Sequence, residues 1–320
     1  MNDHVMTQAG PEAKSPGFRH ELFPYEGEDA FLDGAVSFIE DAVAGNETVL
    51  VAVGAGKQEI LREELAGTDA ARSVSYLDAA ELSRRPGRLI ATWQDRVNEG
   101  MAQGHPVRAI SESLWQGRTT GERAELQYHE WLLNQAFLHA PAWWLLCPYD
   151  TTSVETDVLE SARRSHPLLW TGGTRSANTD YRDGPYPHTE LSGPCDPHEE
   201  LVFQAGGLAL VREKVTACAN AHNLEPDRLL DLLAAVTEAA ANSIRHGGGT
   251  GTLRTWAEQG DLVCEVHDTG YLQDPLGGRI RPRFDQMGGR GLWLIHQLCD
   301  LVQIRSNPQG TTVRMIVTLK

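Results

Sequence analysis

The stretch from Pro226 to Gly249 limits the fold more than any other part of the chain. Pro226 is followed by Leu229, Leu230, Leu232, Leu233 and Val236. That spacing predicts a helix with one apolar stripe turned to a core. The helix should run into Glu238-Ala-Ala-Ala-Asn242-Ser-Ile-Arg-His246-Gly-Gly-Gly249. Glu238, Asn242 and His246 recur every fourth residue, so their side chains leave from one face. A carboxylate and an amide closed off by glycines do not suit a buried seam; they suit a cavity that holds a metal and phosphates. The Asn242 carbonyl oxygen is a hard ligand of the kind Mg²⁺ takes. Glu238 could orient or deprotonate an attacking hydroxyl or water. The alternative is a solvated helix end with a glycine stop.

Two later stretches favour the cavity. Val263-Cys-Glu-Val-His-Asp268-Thr-Gly270 reads as a strand ending in Asp-x-Gly. There a carboxylate can accept from an exocyclic amine, and a glycine lets a ring approach the backbone. Met287-Gly288-Gly289-Arg290-Gly291-Leu292-Trp293 reads as a glycine turn opening an amphipathic helix. Exposed N–H groups and the helix dipole at such a turn favour phosphate.

In this order and spacing, the segment from about Leu201 to Lys320 resembles the GHKL ATPase superfamily, and most of all its anti-sigma-factor serine kinase branch. Glu238-x-x-x-Asn242 looks like the N box, Asp268-x-Gly270 the first glycine box, and Gly289-Arg290-Gly291-Leu292 the second. The resemblance implies a GHKL (Bergerat) α/β sandwich holding ATP and Mg²⁺ between a mixed sheet and a mobile lid, Tyr271 to Gly288. It implies that Glu238 is the catalytic base, that Asn242 binds Mg²⁺ and that Asp268 holds the adenine amine. Gly270, Gly289 and Gly291 would let backbone approach the nucleotide, with His246, Arg290 and Leu292 beside it. Thr312 would line the adenine end. Arg279 to Arg283 would lend charge near phosphates or form a solvated loop.

A net charge of −16 argues against nucleic acid or an anionic membrane as the main partner. The five cysteines show no paired spacing, which fits a reducing cytoplasm. Cys195-x-x-His198 lacks a second ligand pair. No signal peptide or membrane span is expected.

From Phe18 onward, helical and apolar β-branched segments alternate. Thr48–Val53, Val74–Leu77, Val107–Ile110 and Trp144–Cys147 read as strands separated by helices, hence a mostly parallel sheet covered on both faces. Gly54-Ala-Gly-Lys57-Gln58 is too short for a phosphate loop and reads as a glycine turn with a solvated lysine. The phrases Ser111-Glu112-Ser-Leu-Trp115 through His129-Glu130-Trp-Leu-Leu-Asn134, and Leu146-Cys147-Pro-Tyr149-Asp150 through His166-Pro167, with His20 and Tyr25, resemble the MEDS sensory domain. The resemblance implies a RecA/KaiC-like α/β fold that senses a small molecule. His20, Glu112, His129, Cys147, Tyr149, Asp150 and His166 are the candidates for its pocket. No ligand spacing supports a metal or haem there.

The organisation expected is a sensory domain over 18–170, a Gly/Pro-rich linker over 171–197 and an ATPase domain over 198–320. The function implied is a cytoplasmic anti-sigma factor with serine/threonine-protein kinase activity on an anti-anti-sigma protein, gated by a small-molecule sensor. Its partners would be a sigma factor, the antagonist, or both. Homodimers are frequent in that family, though no segment here marks an interface. The alternatives are a nucleotide-dependent binding switch without turnover and a histidine kinase of atypical layout that uses His129.

Overall fold

The computed structural model describes residues 17–171, 173–194, 198–283, 285–286 and 288–319. Cys195, and with it the Cys195-x-x-His198 spacing, lies outside the described residues, as does Met287.

The first sheet draws on β1 (Phe18–Tyr25), α1 (Gly27–Ala44), β2 (Thr48–Ala52), α2 (Ala55–Glu64), α3 (Ala70–Ser73), β3 (Val74–Tyr76) and α4 (Ala79–Arg84). A 3₁₀ turn at Pro86–Arg88 leads to α5 (Leu89–Ala102), β4 (Val107–Ser111), α6 (Thr120–Ala136), β5 (Trp143–Asp150), α7 (Thr156–Ser165), β6 (Leu168–Thr171) and β7 (Thr174–Ala177). The strand order is β3-β2-β4-β5-β1-β6-β7. Every neighbouring pair is parallel except β6 with β7.

Strand alternation divides this sheet between two cores. Leu22, Trp143, Leu145 and Cys147 face α5, α6 and α7. Phe23, Tyr25, Leu146 and Ile110 face α1 and α2. β1 is a central strand that the apolar pattern does not announce, because Arg19, His20 and Glu21 interrupt it. Glu21 is nevertheless fully buried, 3.1 Å from Arg175 on β7. That ion pair ties part of the expected linker, Thr174–Ala177, to the sheet as its edge strand.

The second sheet follows with β8 (Glu199–Gln204), α8 (Leu208–Ala221), α9 (Pro226–His246), β9 (Thr250–Glu258), β10 (Asp261–Asp268), α10 (Arg290–Leu298), β11 (Leu301–Asn307) and β12 (Gly310–Thr318). Its order is β11-β12-β10-β9-β8, and all of its pairs are antiparallel. The expected mixed sheet is therefore corrected to an antiparallel one. The reason is local: β9–β10 and β11–β12 are joined by short turns, which permit only antiparallel pairing. Leu232, Ala235, Val236, Ala239 and Ala240 of α9 pack with Val211 and Val215 of α8, Ile295 of α10 and the inner face of this sheet. No helix among the described residues is long and apolar enough to cross a membrane.

The two sheets meet through polar contacts. Arg85 reaches Asp300 at 3.0 Å, and Arg88 donates to the His296 carbonyl. Arg279, in the loop before α10, lies 2.6 Å from Glu125 of α6, which also holds Arg305 of β11 at 3.0 Å.

Candidate functional site

α9 starts with proline at its first turn, where the missing N–H costs nothing, and ends at Gly247. Its buried stripe ends at Ser243. Glu238 and Asn242 lie beside that stripe and are half-buried. α10 meets them end-on. A methyl group built on Gly291 would sit 2.8 Å from Glu238 Oε2 and 3.2 Å from Asn242 Nδ2. The sequence places these three residues in two separate motifs, and the fold brings them together.

α10 opens after Gly288 and Gly289, both left-handed at φ of 93° and 77°. Its N-cap carries no side-chain hydrogen bond and its first turn no acidic residue. Its first N–H groups are therefore not capped by a side chain of the helix itself and are open to an anion, with Glu238 of α9 beside Gly291. Arg290 is exposed at this end. Leu292 turns inward against the core and backs onto Gly278. An open cleft lined by Glu238, Arg281, Pro282, Arg283, Arg290, Gly291 and Trp293 lies in front.

Asp268 ends β10. Its Oδ2 accepts from Ser243 Oγ at 2.5 Å and its Oδ1 from the Gly270 N–H at 2.8 Å. A carboxylate has about four acceptor directions, so two remain for an incoming amine. Gly247 packs so tightly that a methyl group there would overlap this carboxylate. Gly270 is equally confined, by the His246 carbonyl at 2.7 Å from such a methyl. His246 contributes this backbone contact, and its own side chain is exposed.

Thr312 is not part of this group. It pairs with His267, one residue before Asp268, and its Oγ1 lies 3.0 Å from His267 Nδ1 on the opposite face of the sheet. Thr311 pairs with Asp268 and donates to the Gly270 carbonyl at 2.8 Å. The period-two alternation of a strand puts Thr311, not Thr312, on the Asp268 side. Ser243 and Thr311 are the residues the sequence reading missed. Their signal was register: Ser243 follows Asn242 on the buried side, and Thr311 sits opposite Asp268.

In the loop before α10, Arg279 is buried while Arg281 and Arg283 are exposed to solvent. Arg279 is buried against Glu125 and over the Tyr128 ring, Arg281 pairs with Asp95, and Arg283 pairs with Asp285. Tyr128 Oη donates to the Pro275 carbonyl. Each arginine of the run is thus beside a carboxylate.

In the first sheet, three of the expected pocket residues converge. His20 of β1, Cys147 of β5 and His166 after α7 are all buried. The sequence reading passed over Glu130, yet it completes the group, 3.3 Å from His20 Nε2 and 3.6 Å from His166 Nε2. Its signal was the i, i+4 spacing of Glu130 and Asn134 on the face of α6 that meets β1. Burial holds both histidines down to about 3, well below their ordinary value, and pushes the Cys147 thiol up. The ring of Tyr149 stands edge-on to His166.

His129 is also buried, and burial lowers it to about 4. With Glu112 it lines a cavity of about 10 Å³ that reaches Glu130 and Cys147. Glu112 itself accepts from the Gly54 N–H and pairs with Lys57. Lys57 is therefore paired rather than solvated, and it lies near the Tyr25 and Phe31 rings. Asp150 does not join the group. It accepts from the Thr152 backbone and hydroxyl in a local turn, and these bonds outweigh partial burial to hold it below its ordinary value.

The family described as "MEDS: MEthanogen/methylotroph, DcmR Sensory domain" matches residues 19–167. The family described as "Histidine kinase-like ATPase domain" matches residues 203–317. No curated protein matches. Among solved structures, the RsbU and RsbW domains of Rv1364c from Mycobacterium tuberculosis are similar at 18% identity over 38% of this chain, with a TM-score of 0.30. That match spans only 32% of the other chain. The SiaB–SiaC complex from Pseudomonas aeruginosa is similar at 11% identity over 37% of this chain and 88% of the other, with a TM-score of 0.28. The chain is a MEDS domain over residues 19–167 joined to a histidine kinase-like ATPase domain over residues 203–317.

Proposed function

We propose that this chain is an ATP- and Mg²⁺-binding regulator, an anti-sigma factor whose serine/threonine-protein kinase activity on an anti-anti-sigma protein is gated by its MEDS domain. The observation that carries the reading is the junction of Gly291 with Glu238 and Asn242, which joins an anion-suited helix start to a hard oxygen ligand and a carboxylate. Donor types and free positions fit the nucleotide. Asp268 keeps acceptor capacity for an amine, and the first N–H groups of α10 suit phosphate oxygens. The Asn242 carbonyl oxygen suits Mg²⁺. ATP would supply the phosphoryl group. Glu238 would accept the proton of the attacking hydroxyl, and Asn242 and the glycine turn would position and neutralise charge. The kinase step, the sigma factor and its antagonist come from the resemblance, and the MEDS gate from the buried Arg279–Glu125 contact.

The switch reading has an observation of its own. Arg279 and Arg281 of the loop are already paired with Glu125 and Asp95 of the MEDS domain, so nucleotide and domain docking would compete for one loop. The histidine-kinase reading loses its acceptor, since His129 is 3% exposed on the inner face of α6 and cannot present itself to a nucleotide.

The first test is Mg-ATP binding by calorimetry on the wild type and on Asn242→Ala and Asp268→Ala. Binding by the wild type that both folded variants lose supports the nucleotide site, and no binding by the wild type overturns it. Glu238→Gln then separates kinase from switch. Retained binding with lost phosphorylation of the antagonist favours the kinase.

A further inference from the structure

We infer that His20, Glu130, Cys147 and His166 form a four-coordinate site for a transition-metal dication, with Zn²⁺ the best match. The four residues come from β1, α6, β5 and the end of α7, and all are buried. One donor atom from each lies within 4.8 Å of every other.

The separations have the size of a coordination tetrahedron. Zinc bonds of about 2.0–2.3 Å to nitrogen, oxygen and sulfur give tetrahedron edges of about 3.3–3.8 Å. Here His20 Nε2 to Glu130 Oε2 is 3.3 Å, His20 Nε2 to Cys147 Sγ is 3.5 Å, and His166 Nε2 to Glu130 Oε2 is 3.6 Å. Cys147 Sγ to Glu130 Oε2 is 3.9 Å.

The surroundings fix both imidazoles in the ligating tautomer. The Asn134 amide nitrogen donates to the Ser165 carbonyl at 2.6 Å, so its oxygen faces the other way. That oxygen lies 3.2 Å from His20 Nδ1, which must therefore donate and leave a lone pair on Nε2. His166 Nδ1 lies 2.7 Å from the Ala162 carbonyl and donates to it, which leaves a second lone pair on Nε2. This Nε2 is fully buried, points at the group and has no hydrogen-bond partner. Ser113 Oγ donates to the outer oxygen of Glu130 at 3.0 Å. Amide, carbonyl and hydroxyl partners on the far side of His20, His166 and Glu130 are the supporting shell of a metal site.

A packed core gains little by aiming two imidazole lone pairs and a carboxylate at one point, with one thiol proton among them. A dication removes the conflict. It takes both lone pairs and the carboxylate oxygen and displaces the Cys147 proton to solvent. The charge of the thiolate and carboxylate then cancels that of the ion. Nitrogen, sulfur and one oxygen in a tetrahedron select zinc over the hard cations. The reading does not depend on the nucleotide site.

The test uses the tag-free full chain, stripped with a chelator and titrated with Co²⁺ as a spectroscopic stand-in for Zn²⁺. One equivalent should give intense tetrahedral d–d bands and a thiolate charge-transfer band, and Zn²⁺ should displace both. Cys147→Ser should lose the charge-transfer band, while Cys218→Ser keeps it. Asn134→Ala, which removes the support of His20 together with the bond to the Ser165 carbonyl but no ligand atom, should weaken Zn²⁺ binding by about 10- to 100-fold. Absence of stoichiometric binding, an octahedral cobalt spectrum, or a charge-transfer band unchanged in Cys147→Ser would overturn the site. The wild-type spectrum decides the question even where a variant fails to fold.

Discussion

The Arg279 guanidinium lies 2.6 Å from the Glu125 carboxylate, and the two side chains are 3% and 1% exposed. One belongs to the loop before α10 of the ATPase domain and the other to α6 of the MEDS domain. Glu125 also neutralises Arg305. Removing one partner of a buried pair leaves an uncompensated charge, at a cost of about 3–5 kcal/mol. Glu125→Ala should therefore undock the domains, and the single thermal transition should split into two. Arg279→Leu with Glu125→Leu should recover part of the loss, although Arg305 stays unpaired. A single unchanged transition in Glu125→Ala would show that the contact does not hold the domains together.

Thr311 and Thr312 give opposite expectations, although they are adjacent. Thr311→Val removes the hydroxyl that reaches the Gly270 carbonyl and Ser306. It should cost about 0.5–1.5 kcal/mol in urea unfolding and weaken Mg-ATP binding. Thr312→Val loses only its partner His267, which is exposed, and should leave both nearly unchanged. The reverse order would restore Thr312 to the adenine end.

Gly291 and Gly247 separate function from stability. A methyl group on Gly291 meets the outer end of Glu238, a side chain that is 36% exposed and free to swing aside. Alanine also favours the helix by up to about 1 kcal/mol over glycine. Gly291→Ala should therefore keep or raise the thermal midpoint while weakening Mg-ATP binding. On Gly247 the methyl group meets Asp268, which Ser243 and Gly270 hold in place. Gly247→Ala should lower the midpoint as well as binding. Equal midpoints in the two variants would contradict the rigidity assigned to Asp268.

The C-terminal site was legible because its residues recur at helical spacing and its glycines punctuate short motifs. The alternation of helix and strand likewise gave the parallel sheet. β1 was not legible, since Arg19-His20-Glu21 looks solvated until Arg175, far along the chain, supplies a partner for Glu21. The four-residue cluster was hidden for the same reason: Glu130 and His20 are brought together by sheet order, which no local spacing encodes. Register explains why Thr311 rather than Thr312 sits beside Asp268, because alternation along β12 depends on where β10 pairs.

His188 predicts an acid-sensitive contact between the segment before β8 and both domains. Its ring packs against Tyr128 of α6 and against Tyr186, with Arg279 and Arg305 nearby. Partial desolvation by these rings first, then the positive charge of Arg305 and Arg279, lowers it to about 4, although the residue keeps an exposed edge. The unfolded chain would bind this proton near 6.5. A lowered histidine favours the neutral form in the folded state, so its stabilising effect is complete above about 6.5. It is lost as pH falls from there through about 4. His188→Phe keeps the aromatic contact and removes the proton site. Urea unfolding from pH 7.5 to 4.5 should show the wild type losing stability more steeply than His188→Phe, the two curves separating only below about pH 6.5. Parallel curves would mean that His188 is solvated and that the segment is not clamped between the arginines and α6.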